Sequence, residues 1–283
     1  MSIRRGILAL VMVTILWGTT FSAIKFIMNR IPPSAYATYR SLIASLALFP
    51  FIFNRGKEVI RTIKAGFILG VLYFFGLLLQ AWGMVYTTAS NAAFITSFNV
   101  PLVCLLEVII LRRKPSLALL ASMAMAISGV LLLSVEFRSF SFSYGDLIVL
   151  ACTIFWALQI IYIDKYSRMH NVLVLTFMQL VISGLVGLVV CGVMSEIVRL
   201  DEISLSILLY LAIFCSSITC LLQVYGQRFT TSTQAAIIYT LEPVFASFFA
   251  TILLHEILSL KQYIGSLLIL AATYLAIKSE VEL

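Results

Sequence analysis

Charged residues are scarce in this sequence. Only 11% of its 283 residues are Asp, Glu, Lys or Arg, whereas 62% are hydrophobic and the mean hydropathy is +1.09. Soluble domains carry about 25% charged and 45–50% apolar residues. A soluble fold could not bury this much apolar surface, so the chain is predicted to be a polytopic membrane protein.

Residues that usually carry metal, redox or catalytic chemistry are also few. The two histidines, His170 and His255, are predicted to lie on opposite faces of the membrane, where they could not share a metal ion. The five cysteines lie inside apolar segments without a zinc or redox spacing. The sequence contains no Ser–His–Asp set and no glycine-rich phosphate loop. We therefore predict neither enzyme activity nor a cofactor.

The apolar residues fall into ten runs separated by short polar segments. Each run is roughly the length that a helix needs to cross about 30 Å of hydrocarbon. The first run is too long for the core of a signal peptide and is predicted to be kept as a helix. The ten predicted spans are 6–28, 34–53, 64–85, 89–111, 116–135, 144–162, 172–194, 204–223, 234–254 and 261–277.

The net charge of +7 has a topological explanation and does not indicate a nucleic-acid partner. With the N-terminus in the cytoplasm, 13 Lys and Arg residues lie in inner segments and 5 in outer segments, and Arg40 lies inside a span. Basic residues favour the cytoplasmic side. Both termini are therefore predicted to lie in the cytoplasm, with the chain in the cell membrane.

One sequence motif occurs twice. Residues 86–93 read YTTASNAA, and residues 229–236 read FTTSTQAA. Each copy is followed by an apolar run that a polar residue and a proline interrupt, at Asn99–Pro101 and at Glu242–Pro243. Matched interruptions in two halves point to the binding site of a transporter.

The duplication predicts two repeats of opposite orientation, 1–138 and 139–283. Five helices per repeat is an odd number, so the second repeat enters the membrane from the other side. By helical rise, Asn99 lies about 15 Å and Glu242 about 12 Å into their spans. Both residues are thus expected near the middle of the membrane. The following prolines should leave the carbonyls of Ser97 and Tyr239 without helical partners.

Aromatic and polar residues that share helical faces are predicted to line a central cavity. In the eighth span Ser216 and Gln223 lie on one stripe, and in the sixth span Trp156 shares a face with Gln159 or Ile160. The aromatic residues would supply stacking area, the amides would orient hydrogen bonds, and Glu242 would contact a cation or exchange a proton. Such polar residues also serve as hydrogen-bond partners between membrane helices. The candidate binding residues are Trp17, Tyr73, Gln80, Asn99, Trp156, Ser216, Gln223, Tyr239 and Glu242.

The other notable positions favour structural roles. Gly66 and Gly70 are predicted to allow close helix packing. Trp82 is predicted to be an interfacial anchor. Arg40 should pair with a carboxylate or with helix-end carbonyls, and Glu107 should be a snorkelling member of an ion pair with the basic residues that follow it. For Glu242, a structural ion pair is the alternative to a functional role.

Several further motifs are spread along the whole chain. They are Trp17–Phe21 with Lys25, Pro33, Arg40, the block 86–93 with Pro101, and in the second half 230–243 with Leu254-His255-Glu256. Together these motifs resemble the EamA-like family of the drug/metabolite transporter superfamily. The resemblance covers essentially the whole chain and implies a ten-helix secondary transporter with a central cavity, frequently an exporter of amino acids, related metabolites or drugs. One departure is Leu111–Lys114, where the family usually has Leu-Gly-Glu.

The sequence therefore predicts a carrier that moves a small, partly apolar metabolite by alternating access. A phosphorylated solute is disfavoured because Arg40 is the only deep cation in the predicted spans. The predicted partners are a small-molecule substrate, the lipid bilayer and protons as a coupling ion, with the chain a monomer or a dimer. The alternative is a membrane scaffold or accessory subunit that transports nothing.

Overall fold

The structure is a computed structural model that describes residues 2–134, 143–254 and 259–281. In these ranges the regular secondary structure is helical throughout. Short 3₁₀ and π-helical segments occur at Phe49–Phe51, Glu107–Leu111 and Ile213–Ile218. The helices are α1 Ser2–Trp17, α2 Thr20–Ile27, α3 Pro33–Leu48, α4 Gly56–Tyr86, α5 Ala89–Thr96, α6 Asn99–Leu106, α7 Leu117–Ser134, α8 Tyr144–Ser167, α9 Val172–Val193, α10 Glu202–Ala212, α11 Thr219–Gln227, α12 Ser232–Tyr239, α13 Leu241–Leu254 and α14 Leu260–Val281.

Seven helical segments of the described chain are long and apolar enough to cross a membrane. The helix at Leu117–Leu133 is apolar but shorter. The prediction of an all-helical, multi-pass membrane protein is confirmed, and the count of ten spans stays a prediction. The predicted boundary between repeats, at 138, lies outside the described residues. The seven segments are Ile3–Ile27, Gly56–Tyr86, Asn91–Leu111, Tyr144–Ser167, Val172–Val193, Glu202–Gln227 and Leu260–Lys278.

The duplicated motif forms a helix start in both copies. Thr88 precedes α5 and its side chain accepts a hydrogen bond from the Asn91 amide at 3.1 Å. Thr231 precedes α12 and accepts one from the Gln234 amide at 3.2 Å. A threonine at this position pairs one of the amides that a helix start leaves free. The repeated sequence therefore encodes the same local structure twice.

Each of these two helices is interrupted shortly after its start. α5 ends at Thr96 and α6 begins at Asn99, while α12 ends at Tyr239 and α13 begins at Leu241. The prolines lie in the first turn of the second helix, where their missing N–H costs little. The Ser97 carbonyl accepts a hydrogen bond from the Val100 amide at 3.2 Å. The expectation that the Ser97 carbonyl lacks a partner is therefore wrong, because a tighter i→i+3 bond replaces the one that Pro101 cannot form.

A third interruption separates α1 from α2 at Gly18 and Thr19. This junction packs closely against the start of α13. A Cβ atom at Gly18 would lie 3.0 Å from the Ala246 amide nitrogen and 3.2 Å from the Glu242 carbonyl oxygen. A glycine here lets the two interrupted helices approach each other.

Long helices pack in pairs across the bundle. α4 contacts both α8 and α9, α3 contacts α9, α1 contacts α11, and α7 contacts α14. The structure places Gly66 against Met178 and Gly70 against Ile182, both on α9, as the packing interpretation expects. The backbones of α4 and α8 approach each other closely at Gly145, where a Cβ atom would lie 2.5 Å from the Gly83 carbonyl oxygen.

Replacing Gly145 with alanine is therefore expected to destabilise the protein by about 1–3 kcal/mol, because the new methyl group must push α4 away from α8. Thermal unfolding of the purified protein in detergent measures this loss. Gly192 is the matched control, since a Cβ atom there would meet nothing within 4 Å. Gly192→Ala should leave stability unchanged or raise it slightly. Equal midpoints for the two variants would contradict the close contact.

Candidate functional site

The helix interruptions border a central cavity of about 80 Å³. One water occupies roughly 10–15 Å³ on this measure, so the space can hold several waters or part of a solute. The lining residues are Trp17, Thr20, Phe21, Ile24, Arg40, Tyr73, Leu77, Gln80, Ala93, Thr96, Ser97, Asn99, Trp156, Gln159, Ile160, Gln223, Tyr239, Thr240, Glu242 and Pro243.

Eight of the nine candidate binding residues line this cavity: Trp17, Tyr73, Gln80, Asn99, Trp156, Gln223, Tyr239 and Glu242. Ser216 does not. It is fully buried behind the cavity wall, where its hydroxyl accepts hydrogen bonds from Arg40 Nε at 2.7 Å and from the Tyr73 hydroxyl at 2.9 Å. The structure therefore places Ser216 as a support for two lining residues.

Two pairs of aromatic rings form part of the wall. The ring centroids of Trp17 and Tyr239 are 5.3 Å apart, and the rings are tilted by 55°. Those of Tyr73 and Trp156 are 5.6 Å apart in an edge-to-face arrangement. Each pair joins a helix of the N-terminal part to one of the C-terminal part. Such rings offer rigid apolar area to a solute.

Arg40 is 3% exposed, although it lines the cavity. Its guanidinium donates hydrogen bonds to the Tyr36 hydroxyl, to Ser216, and to the Cys215 carbonyl at 2.7 Å. Cys215 and Ser216 belong to the π-helical segment between α10 and α11. The sequence predicted a carboxylate or helix-end carbonyls as the partner of Arg40. The partner is a carbonyl, but it lies within the π-helical segment and not at a helix end, and the prediction did not place Arg40 at the cavity.

Glu242 lies in the first turn of α13 and faces the same cavity. A carboxylate is favourable at a helix N-terminus. In the described part of the chain no hydrogen bond or ion pair reaches its side chain, and Arg40 is the cation whose charge acts on it. The predicted structural ion pair is therefore not formed in this conformation. The carboxyl group of Glu242 and the guanidinium group of Arg40 thus face the same cavity without forming an ion pair.

Two glutamine amides meet at the cavity. Gln223 Nε2 donates a hydrogen bond to Gln159 Oε1 at 3.4 Å, and both residues are 1% exposed. Gln159 was not among the candidate binding residues. Gln159 follows Trp156 by three residues on α8, and this spacing was the sequence feature that pointed to the cavity. Helical periodicity alone could not decide whether Gln159 or Ile160 shares the face of Trp156.

Ion pairs cluster at the ends of α6, α8 and α12. Asp164 is fully buried and pairs with Arg113 at 2.7 Å and with Arg168 at 3.0 Å. Glu107 lies 3.8 Å from Arg113, but it is only 4% exposed and accepts a hydrogen bond from the Thr233 amide at 2.8 Å. The prediction of an ion pair is confirmed, and the prediction of a snorkelling side chain is wrong. Glu107 is buried because it binds the start of α12.

Lys25 and Trp82 lie near the end of α4 at Tyr86. Lys25 Nζ donates hydrogen bonds to the carbonyls of Met84 at 2.6 Å and Thr87 at 2.8 Å, at the end of α4. Trp82 is 37% exposed and lines a second, separate cavity there. The interfacial anchor role of Trp82 stays a prediction.

His170, the histidine within the described residues, gives no indication of a metal site. His170 lies between α8 and α9 and shares a hydrogen bond of 3.2 Å with Thr62. Partial burial lowers the pKa of its imidazole. His255 and Glu256 lie outside the described residues. Within the described ranges, no three His, Cys, Asp or Glu side chains come together as metal ligands would.

Comparisons with known proteins agree with this architecture. The model of the EamA-like transporter family matches residues 4–135 and again residues 143–278. An uncharacterized transporter of Archaeoglobus fulgidus is 34% identical over 269 residues, which cover 94% of this chain and 83% of the relative. The uncharacterized transporter YyaM of Bacillus subtilis is 28% identical, over 82% of this chain and 80% of the relative.

Two more distant likenesses extend the comparison. A chloroplastic WAT1-related protein of Arabidopsis thaliana is 25% identical, over 92% of this chain and 66% of the plant protein. A crystal structure of another protein superposes with a TM-score of 0.79 over 96% of both chains. At 16% identity that second likeness concerns the fold alone.

Proposed function

Because the chain belongs to the EamA-like transporter family, we propose that it is a secondary transporter that moves a small, partly apolar metabolite across the cytoplasmic membrane by alternating access. Family membership identifies a membrane transporter with a small-molecule substrate and not an enzyme, as the sequence predicted. The observation that carries the proposal is the central cavity. It lies where α1–α2, α5–α6 and α12–α13 are interrupted, and both parts of the chain line it.

We further propose that the chain forms ten spans in two inverted repeats, 1–138 and 139–283. The family model matches twice, once on each side of this boundary. The packing of helices also supports the duplication. If α1–α2 corresponds to α8 and α4 corresponds to α10–α11, then the contact of α4 with α8 has its counterpart in the contact of α11 with α1. Likewise α6 contacts α8, and α13 contacts α1.

The same correspondence supports a gating motion. In transporters of this kind, one repeat rocks against the other around a fixed central site. Short helices joined at breaks, as in α5–α6 and α12–α13, can change their relative angle without breaking long runs of helical hydrogen bonds. The breaks also place the polar residues Asn99 and Glu242 at the cavity.

The finer parts of the proposal rest on the sequence. The distribution of basic residues supports termini in the cytoplasm. The resemblance to exporters supports outward movement of amino acids or related metabolites and drugs. The aromatic and amide wall of the cavity suits solutes that are partly apolar.

Flux into proteoliposomes tests the proposal. We expect the purified full-length protein to give saturable uptake or counterflow of at least one solute from a panel of amino acids, purines and cationic drugs. Protein-free liposomes correct for passive leak. Absence of saturable flux across the whole panel would favour the scaffold alternative and overturn the transporter proposal for these classes.

A further inference from the structure

The amide pair of Gln159 on α8 and Gln223 on α11 has unused hydrogen-bonding capacity. Their mutual hydrogen bond uses one atom of each amide. Gln159 Nε2 and Gln223 Oε1 are both buried and have no protein partner. Both residues line the central cavity, and the unused donor and the unused acceptor lie buried at its wall.

This pattern does not depend on which amide atom is oxygen and which is nitrogen. If both amides are turned over, the shared bond runs in the other direction, and one N–H₂ and one C=O are again left over. The neighbouring Tyr239 hydroxyl does not supply the missing donor. Its one hydrogen is donated to Gln227 Oε1 at 3.3 Å, and Gln227 in turn donates to the Ile160 carbonyl at 2.9 Å.

Resting on the proposed transport function, we propose that Gln159 and Gln223 recognise a planar solute edge that carries an N–H donor beside a C=O acceptor. Amides, lactams and nucleobases have such an edge. Its carbonyl would accept from Gln159 Nε2, and its N–H would donate to Gln223 Oε1. The rings of Trp156 and Tyr73 would contact the flat faces of the same group.

The unused donor and acceptor of the amide pair also determine which solute groups should bind weakly. A carboxylate offers acceptors only, so it would leave Gln223 Oε1 unpaired in the cavity. An N-methylated amide keeps the shape and the carbonyl but loses the donor. A buried acceptor without a partner is unfavourable, so both groups should bind more weakly than the free amide edge.

Equilibrium dialysis of the purified full-length protein tests this selectivity. The probes are radiolabelled uracil with N,N′-dimethyluracil as its competitor, and radiolabelled nicotinamide with N,N-dimethylnicotinamide. We expect at least one parent probe to bind about tenfold more tightly than its methylated counterpart. Gln159→Met and Gln223→Met should remove this preference, because methionine keeps the length of the side chain and offers neither group of the amide.

Gln179 supplies the matched control. It is fully buried on α9 beside Cys220 of α11, and it does not line the cavity. Gln179→Met should therefore keep the preference. If a methionine variant at 159 or 223 loses its thermal transition, the leucine variant at the same position replaces it in the comparison.

The inference is overturned if wild-type protein distinguishes neither probe pair, or if folded variants at both positions keep the preference. Its failure can be told apart from failure of the transport proposal. Saturable flux in proteoliposomes without discrimination against N-methylated solutes would remove the amide-reading site and leave the carrier. Selective binding without flux of any solute would support the amide-reading site and count against the carrier.

Discussion

Replacing Arg40 with methionine is expected to reduce saturable flux by about tenfold or more and to lower the thermal midpoint of the protein. The guanidinium joins α3 to the π-helical segment through Ser216 and the Cys215 carbonyl, and these are charge-assisted hydrogen bonds. Each such bond contributes about 1.5–3 kcal/mol. Methionine also removes the positive charge that acts on Glu242 across the cavity. A loss of about 1.4 kcal/mol of transition-state stabilisation already lowers a rate tenfold.

Two further variants separate the causes of this effect. Arg40→Lys keeps the charge but lacks the planar fork that reaches three acceptors at once, so we expect intermediate flux. Arg30→Met is the matched control, because Arg30 pairs with Asp201 at 2.6 Å on an exposed surface. Exposed pairs contribute about 0–1 kcal/mol, so flux and midpoint should stay close to those of the wild type. Arg40→Met protein with wild-type flux would contradict the role of Arg40 at the cavity.

The sequence was sufficient to predict an all-helical membrane protein and most of the residues that line the cavity. Long apolar runs decide where helices lie in a membrane, because the backbone must satisfy its own hydrogen bonds there. The interruptions at Asn99–Pro101 and Glu242–Pro243 were visible as polar residues and prolines within such runs. The structure has breaks at both places, and both polar side chains face the cavity.

Contacts between distant helices were not predictable in the same way. Ser216 was assigned to the cavity because it shares a stripe with Gln223, but the π-helical turn at Ile213–Ile218 changes the direction of that face. Glu107 was expected at the membrane surface, since its sequence neighbours are basic. Its actual partner is the amide of Thr233, 126 residues away. Periodicity describes one helix, whereas these positions depend on which helices pack together.

The amide pair also shows that contacts between distant helices could not be predicted from periodicity. Gln223 was placed in the cavity by its stripe, and Gln159 was one of two alternatives on its face. Their hydrogen bond joins residues 64 positions apart. Only the packing of α11 against α8 brings the two amides together and leaves one donor and one acceptor unused. The proposed solute selectivity is thus a property of the assembled bundle.

Replacing Glu242 with glutamine is expected to abolish the dependence of flux on pH. In the described part of the chain, Glu242 is the acid that lines the central cavity, and its carboxyl group has no hydrogen-bond or ion-pair partner. A carboxyl group without a fixed partner in a cavity that opens alternately to two compartments can bind a proton on one side and release it on the other. Protonation changes the charge that faces Arg40 and the solute. Glutamine keeps the shape and holds that charge at zero.

The measurement is counterflow of the transported panel solute at several pH values, with and without a pH gradient across the liposome membrane. Wild-type flux should change with pH and respond to the gradient, and Glu242→Gln flux should do neither. Glu202→Gln is the matched control, since Glu202 is an exposed acid at the start of α10. This control should keep the wild-type profile, because its carboxylate lies outside the cavity. A pH profile that Glu242→Gln leaves intact would exclude Glu242 as the proton site, while the cavity and its solute contacts would be unaffected.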